Sequence, residues 1–178
     1  MKLTSLTLFT VFFLLLALPA SHARIGDTIG DASDRYGPLR SKRILYWPNA
    51  TVELIRYELN GIDVAIYFIN KRAEAITYHD KLDRTNRTED KLTQRGRLNE
   101  SSALVLLFKN KLKSSLWKEA TIQENRPANV REYLNQSESG EDFRLAEFSQ
   151  TTDSEFRNAT LTIKSKTFIE IENRLSGF

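Results

Sequence analysis

The chain has 178 residues, 40% hydrophobic and 10% aromatic, which is enough for a packed core and argues against global disorder. Its 26 basic and 23 acidic side chains leave a net charge of +3, too weak and too mixed to mark nucleic acid or an anionic membrane as the main partner. There is no cysteine, which excludes thiol catalysis, Cys-ligated zinc, iron–sulfur clusters, disulfides and a lipid-modified cysteine.

Residues 1–23 read as an export signal. Lys2 supplies the positive start, Leu6 to Leu18 form an apolar run interrupted only by Thr7 and Thr10, and Pro19 breaks it. Ser21 and Ala23 then occupy the small-residue positions that a signal peptidase reads, which places cleavage after Ala23. The run is shorter than the ~18–20 residues of a membrane span and no second one follows, so no stable span is expected after the signal is removed.

Residues 24–80 are expected to form a first unit. Ile25, Ile29, Ala32 and Tyr36 recur at helical spacing, Asp27 or Thr28 can cap the start, and Gly37-Pro38 ends the helix. A basic connector with Arg40, Lys42 and Arg43 leads to a strand-like run from Thr51 to Leu59. Asn60-Gly61 is a strong hairpin signal, because a type I′ turn needs positive φ at both central positions. Ile62, Val64, Ile66 and Phe68 then alternate strictly. Asn70-Lys71 turns the chain again into Arg72 to His79, which offers Ile76 and Tyr78 to the same side. The unit reads as a three-stranded antiparallel meander with a helix on its apolar face.

Asp80 to Arg97 has no core-forming pattern, and 81–98 is expected to be a polar linker. Residues 99–178 form the second expected unit. Asn99 caps a helix from Glu100 to about Lys111, with Ala103, Leu104, Leu107 and Phe108 as its buried stripe. Strand-like runs follow at Trp117–Gln123, Val130–Leu134, Phe143–Phe148 and Ala159–Lys164, with polar loops at Asn135–Glu141 and Thr151–Glu155. A last helix, Thr167 to Leu175, presents Phe168, Ile171 and Leu175. The fold class is α+β: two helix-plus-antiparallel-sheet units, expected to pack as a duplicated architecture.

Ile25-Gly26-Asp27-Thr28, Arg35-Tyr36-Gly37-Pro38, the Asn60-Gly61 hairpin with its alternating strand and Arg72 to Tyr78 together resemble a class of small exported bacterial proteins of unknown function. Leu98-Asn99-Glu100, Asn110, Trp117 and Leu161-Thr162-Ile163 fit the same class. The first helix and meander are similar, more distantly, to outer-membrane-assembly lipoproteins of the SmpA/OmlA type and to β-lactamase-inhibitor-like domains. Those resemblances imply a helix-plus-sheet unit that binds other proteins, and they supply no catalytic residue. The missing cysteine separates the chain from the lipid-tethered members.

His79 is the only histidine after residue 23 and has no Ser or Cys motif beside it, so it reads as an edge or exposed side chain. Glu141-Asp142 and the pair Asp153 and Glu155 lie in polar loops, where a glycosidase-like acid and base would lack the burial that raises one pKa. Asp27, Asp31 and Asp34 complement the first helix dipole and lack the glycine and bidentate glutamate of a calcium loop. Lys109, Lys111, Lys113 and Lys118 surround Trp117 and read as complements of a helix C-terminus beside a core tryptophan. Asn-x-Ser/Thr sequons at Asn49, Asn86, Asn99, Asn135 and Asn158 keep a secreted eukaryotic glycoprotein as an alternative.

These residues point to an exported bacterial protein, periplasmic or secreted, that binds an envelope protein or component without catalysis, cofactor or metal. Tyr67 and Ile69 on the outward side of the second strand are the candidate partner face, since together they are more apolar than solubility requires. The alternative from another class is a carboxylate-dependent hydrolase of envelope sugars, which a cleft with opposed carboxyls would support. N-terminal sequencing of the exported protein should begin at Arg24; a chain still starting at Met1 would remove the signal.

Overall fold

Thr28 opens the first helix, α1 (Ile29–Tyr36), through a reciprocal capping box. Its hydroxyl accepts from the Asp31 N–H at 3.2 Å, and the Asp31 carboxylate accepts from the Thr28 N–H at 2.8 Å. The Thr28 hydroxyl also donates to that carboxylate at 2.7 Å, and this bond, with the one from the Thr28 N–H, holds the Asp31 carboxyl below its ordinary range. The computed structural model to which these elements belong describes residues 24–59, 61–83, 98–120, 127, 129–152 and 156–176. The expected export signal, residues 1–23, lies outside them, as does residue 60 of the expected Asn60-Gly61 turn, of which Gly61 has φ 80°.

Four strands follow α1: β1 (Ser41–Trp47), β2 (Ala50–Leu59), β3 (Ile62–Ile69) and β4 (Arg72–Asp83). The turn between β3 and β4 has φ 51° at Asn70 and 64° at Lys71, the left-handed pair that a type I′ hairpin requires. Helix α2 (Glu100–Lys109) leads to β5 (Trp117–Glu119), β6 (Val130–Gln136), β7 (Phe143–Thr152) and β8 (Phe156–Ser165), and α3 (Lys166–Leu175) comes last. The molecule is a mixed α+β structure.

The strands make one antiparallel eight-stranded sheet in the order β1-β2-β3-β4-β8-β7-β6-β5. The expectation of two units packed as a duplication is not confirmed by this single sheet. The element order does repeat a helix followed by four strands, but the halves merge edge to edge where β4 pairs with β8. The basic connector is itself a strand, β1, that the sequence reading missed. Likewise β4 runs on to Asp83, into the segment expected to be a linker, and Asp80 is buried, its carboxylate accepting the Leu98 N–H at 2.9 Å.

Helices α1 and α2 share the main core on one face of the sheet. Val64, Ile66 and Phe68 meet Ala32, Tyr36, Leu106 and Leu107 there, with Ile29 and Ile62 packed at its margin. Strict alternation puts Ala65, Tyr67 and Ile69 on the other face. Tyr36, Tyr78 and Asn110 pair their polar atoms inside this core. The Tyr36 and Tyr78 hydroxyls lie 3.1 Å apart, and Tyr78 also bonds the Asn110 side chain. Burial pushes the Tyr78 phenol well above its ordinary value. Asn110 accepts the Ile25 N–H at 3.0 Å and donates to the Leu106 carbonyl at 3.0 Å, tying the N-terminal turn to the end of α2.

The buried side of α2 differs from the expected one. Ala103, Leu106 and Leu107 face the core, while Leu104 and Phe108 are exposed. Ile66→Asp should prevent folding, because it strands an ionised group at a fully buried position. Asp63→Asn removes only a half-exposed ion pair with Arg56 at 2.9 Å and should change stability by no more than about 1 kcal/mol. Equal urea midpoints for the two variants would contradict this register.

Candidate functional site

The second face of the sheet carries the residues that sequence singled out. Phe168 of α3 is seated there against Val52, Ile69 and Ala75. Its ring meets Trp47 edge-on at 5.4 Å and Tyr67 edge-on at 5.3 Å. The face bearing Tyr67 and Ile69 is therefore covered by the chain's own last helix, and Ile69 is buried. Ser165 sets the position of α3. Its hydroxyl caps the helix by accepting the Phe168 N–H at 3.1 Å and donates to the Glu74 carboxylate. Half-burial pushes the Glu74 carboxyl up, against the opposing pull of the Ser165 bond and the Arg144 charge.

Beside α3, above β6 to β8, lies a cleft of ≈ 340 Å³. Glu132, Glu147 and Lys164 line its sheet side, and Ile169 and Glu172 its helix side. Glu132 and Glu147 are direct cross-strand partners, an arrangement of like charges that costs sheet stability. Glu172, on the opposing wall, is engaged by Lys164, whose ammonium donates to both carboxylate oxygens at 2.9 and 2.7 Å. The carboxylates expected from sequence are elsewhere. Glu141 and Asp142 are exposed in the β6–β7 loop, and Asp153 and Glu155 lie outside the described residues.

His79 is half-buried on the second face, where its Nδ1 sits 2.9 Å from the Thr160 hydroxyl of β8. That bond, like Thr77 with Thr162 at 3.3 Å, ties the two halves of the sheet. Among the described residues no group of three His, Asp or Glu side chains is placed to hold a metal ion. Asp27 pairs with Arg35 at 3.2 Å beside the start of α1.

Trp117 is packed against the core, as its expected reading has it. The indole packs on the main core and donates to the Leu107 carbonyl at 2.5 Å, whereas Lys118, one residue on, alternates to the opposite face of β5. Lys111 lies over the Phe108 ring at 4.7 Å. Of the sequons, Asn49 is exposed in the β1–β2 turn with φ 66°, Asn99 caps α2, and Asn86 lies outside the described residues. Asn135 is not in a loop. It is fully buried in β6, where its carbonyl accepts the Leu112 N–H at 2.6 Å and the Ser115 hydroxyl at 2.9 Å.

Two exposed apolar surfaces escaped the sequence reading. One is the edge strand β1, where Ile44 is 49% and Tyr46 82% exposed. The other is the outward side of α2. A contiguous apolar cluster at Ile44 to Trp47 was the available signal for the first. No helix of the described residues is long and apolar enough to cross a membrane. No family model, curated protein or solved structure matches the chain.

Asn135→Ala should lower stability by about 1 kcal/mol or more, because it takes the acceptor from the part-buried Leu112 N–H and leaves the Ser115 hydroxyl only its bond to the Leu112 carbonyl. A urea midpoint unchanged from the parent would mean that this asparagine is not structural.

Proposed function

We propose that the chain is an exported, non-catalytic binding module that accepts an extended segment of an envelope protein along β1. The observation that carries this is the open outer edge of that strand. Among the described residues strand β1 pairs only with β2, in a register unbroken from Ser41↔Arg56 to Trp47↔Ala50. Sheet edges are ordinarily protected by charged side chains, a bulge, a proline or extreme shortness; Lys42 and Arg43 guard the start of β1, while Ile44 to Trp47 carries no charge, bulge or proline. An added strand would bond the free backbone groups and rest its side chains against Ile44 and Tyr46, which no helix covers. The resemblance to small exported proteins and to protein-binding lipoproteins supports the same class, and export itself rests on residues 1–23.

The cleft beside α3 favours a second reading, a carboxylate-dependent hydrolase, since Glu172 faces Glu132 and Glu147 across it. The engagement of Glu172 by Lys164 weighs against an acid-and-base pair there.

A photo-crosslinking residue at Tyr46 in exporting cells should yield one envelope-protein adduct that the same residue at Lys71 does not. Adding Ile44→Lys should remove the adduct and leave the melting midpoint unchanged. Equal crosslinking from both positions would defeat the edge-binding proposal. Purified protein should release no reducing ends from envelope polysaccharide. Release that falls by about 10²-fold or more in Glu132→Gln or Glu147→Gln would establish the hydrolase instead.

A further inference from the structure

Helix α2 is apolar on two sides. At about 100° per residue, Leu104, Val105 and Phe108 lie roughly opposite the buried stripe of Ala103, Leu106 and Leu107. Leu104 and Val105 are about half exposed, Phe108 is 64% exposed, and Leu116 in the loop that follows is 71% exposed. A helix resting on a sheet needs one apolar side, so the second is unaccounted for by the fold.

Charge is distributed unevenly along the same element. Glu100, at the far end, is engaged by Arg131 at 2.6 Å. Lys109, Lys111 and Lys113 follow at the C-terminal end, and Lys111 sits over the Phe108 ring, at the rim of the apolar surface. Partial burial, and after it the nearby Arg24 charge, hold Lys109 below its ordinary value. The chain's net charge of +3 conceals this cluster, because interactions beyond a Debye length of ≈ 8 Å are screened and the local density decides.

We infer that the outward side of α2, with Leu116, docks peripherally on an anionic lipid bilayer. The apolar side chains enter the interface while the lysines reach the headgroups. Leu104, Val105 and Phe108 project from a convex helix and bring no hydrogen-bonding group that would set the register of a protein partner. A fluid lipid surface asks for none. This surface is separate from the β1 edge and does not depend on it.

Co-sedimentation of the exported protein with phosphatidylglycerol–phosphatidylethanolamine vesicles tests the inference, with phosphatidylcholine vesicles as the neutral control. Binding is expected only to the anionic vesicles and should weaken steeply with added salt. Val105→Ser with Phe108→Ser should reduce it on the order of tenfold or more, as should Lys111→Glu with Lys113→Glu. Tyr46→Lys should leave it intact. All these positions are at least partly exposed, and melting curves check that each variant folds. Failure of the parent to bind anionic vesicles at low salt, or variants that bind as well as the parent, would overturn the inference. A protein adduct from a photo-crosslinker at Phe108 without vesicle binding would overturn it in favour of an acidic protein partner.

Discussion

Everything in this molecule hangs on the pairing of β4 with β8. The ladder runs from Ala75↔Lys164 to Asp83↔Phe156 and turns two four-stranded meanders into one sheet. On one face it aligns Ile76 with Ile163 and Tyr78 with Leu161, the centre of the main core. On the other it brings Thr77 to Thr162 and His79 to Thr160, so polar side chains reinforce the seam where no helix is needed. Without this pairing each half would show an unprotected inner edge and half a core. With it, among the described residues, only β1 and the short β5 remain as edges.

The parts of the fold legible in sequence were those encoded by local periodicity. Ile62 to Phe68 alternate so strictly that only one register buries them, and Thr28 with Asp31 or Asn99 with Ser102 mark helix starts by their own hydrogen bonds. What could not be read was long-range. Nothing near Tyr78 announces that Leu161 lies beside it. The run Ala103 to Phe108 is apolar at every position, so periodicity cannot choose which side faces the sheet. Strand β1 was hidden because Ile44, Leu45, Tyr46 and Trp47 are contiguous and fall on both faces of an edge. Asn135 has the residue type of a loop, and only the segment it holds explains why it is buried.

The candidate surfaces were harder still, because exposure is a property of the finished packing. Tyr67 and Ile69 are apolar and turned away from the main core, and sequence could show that much. That Phe168 of α3 would cover them depends on the chain reversing after β8, with Ser165 serving at once as helix cap and as partner of Glu74. The same packing leaves β1 and the outer side of α2 uncovered. Two apolar surfaces on opposite parts of the sheet allow two separate attachments, one through backbone edges and one through side chains alone.

The seam has a kinetic side. Its side-chain bonds join residues separated by 85 and 81 positions along the chain, and Glu74 meets Ser165 across 91. Such non-local pairings must overcome most of the loop-closure entropy before they return any contact, which places a fold of this kind among the slower folders. The core cannot close until β8, nearly the last element, has been made and delivered. Until then β4 has no partner on its inner side and half of the core is missing. The long reach between β4 and β8 thus acts as a delay that keeps folding behind synthesis.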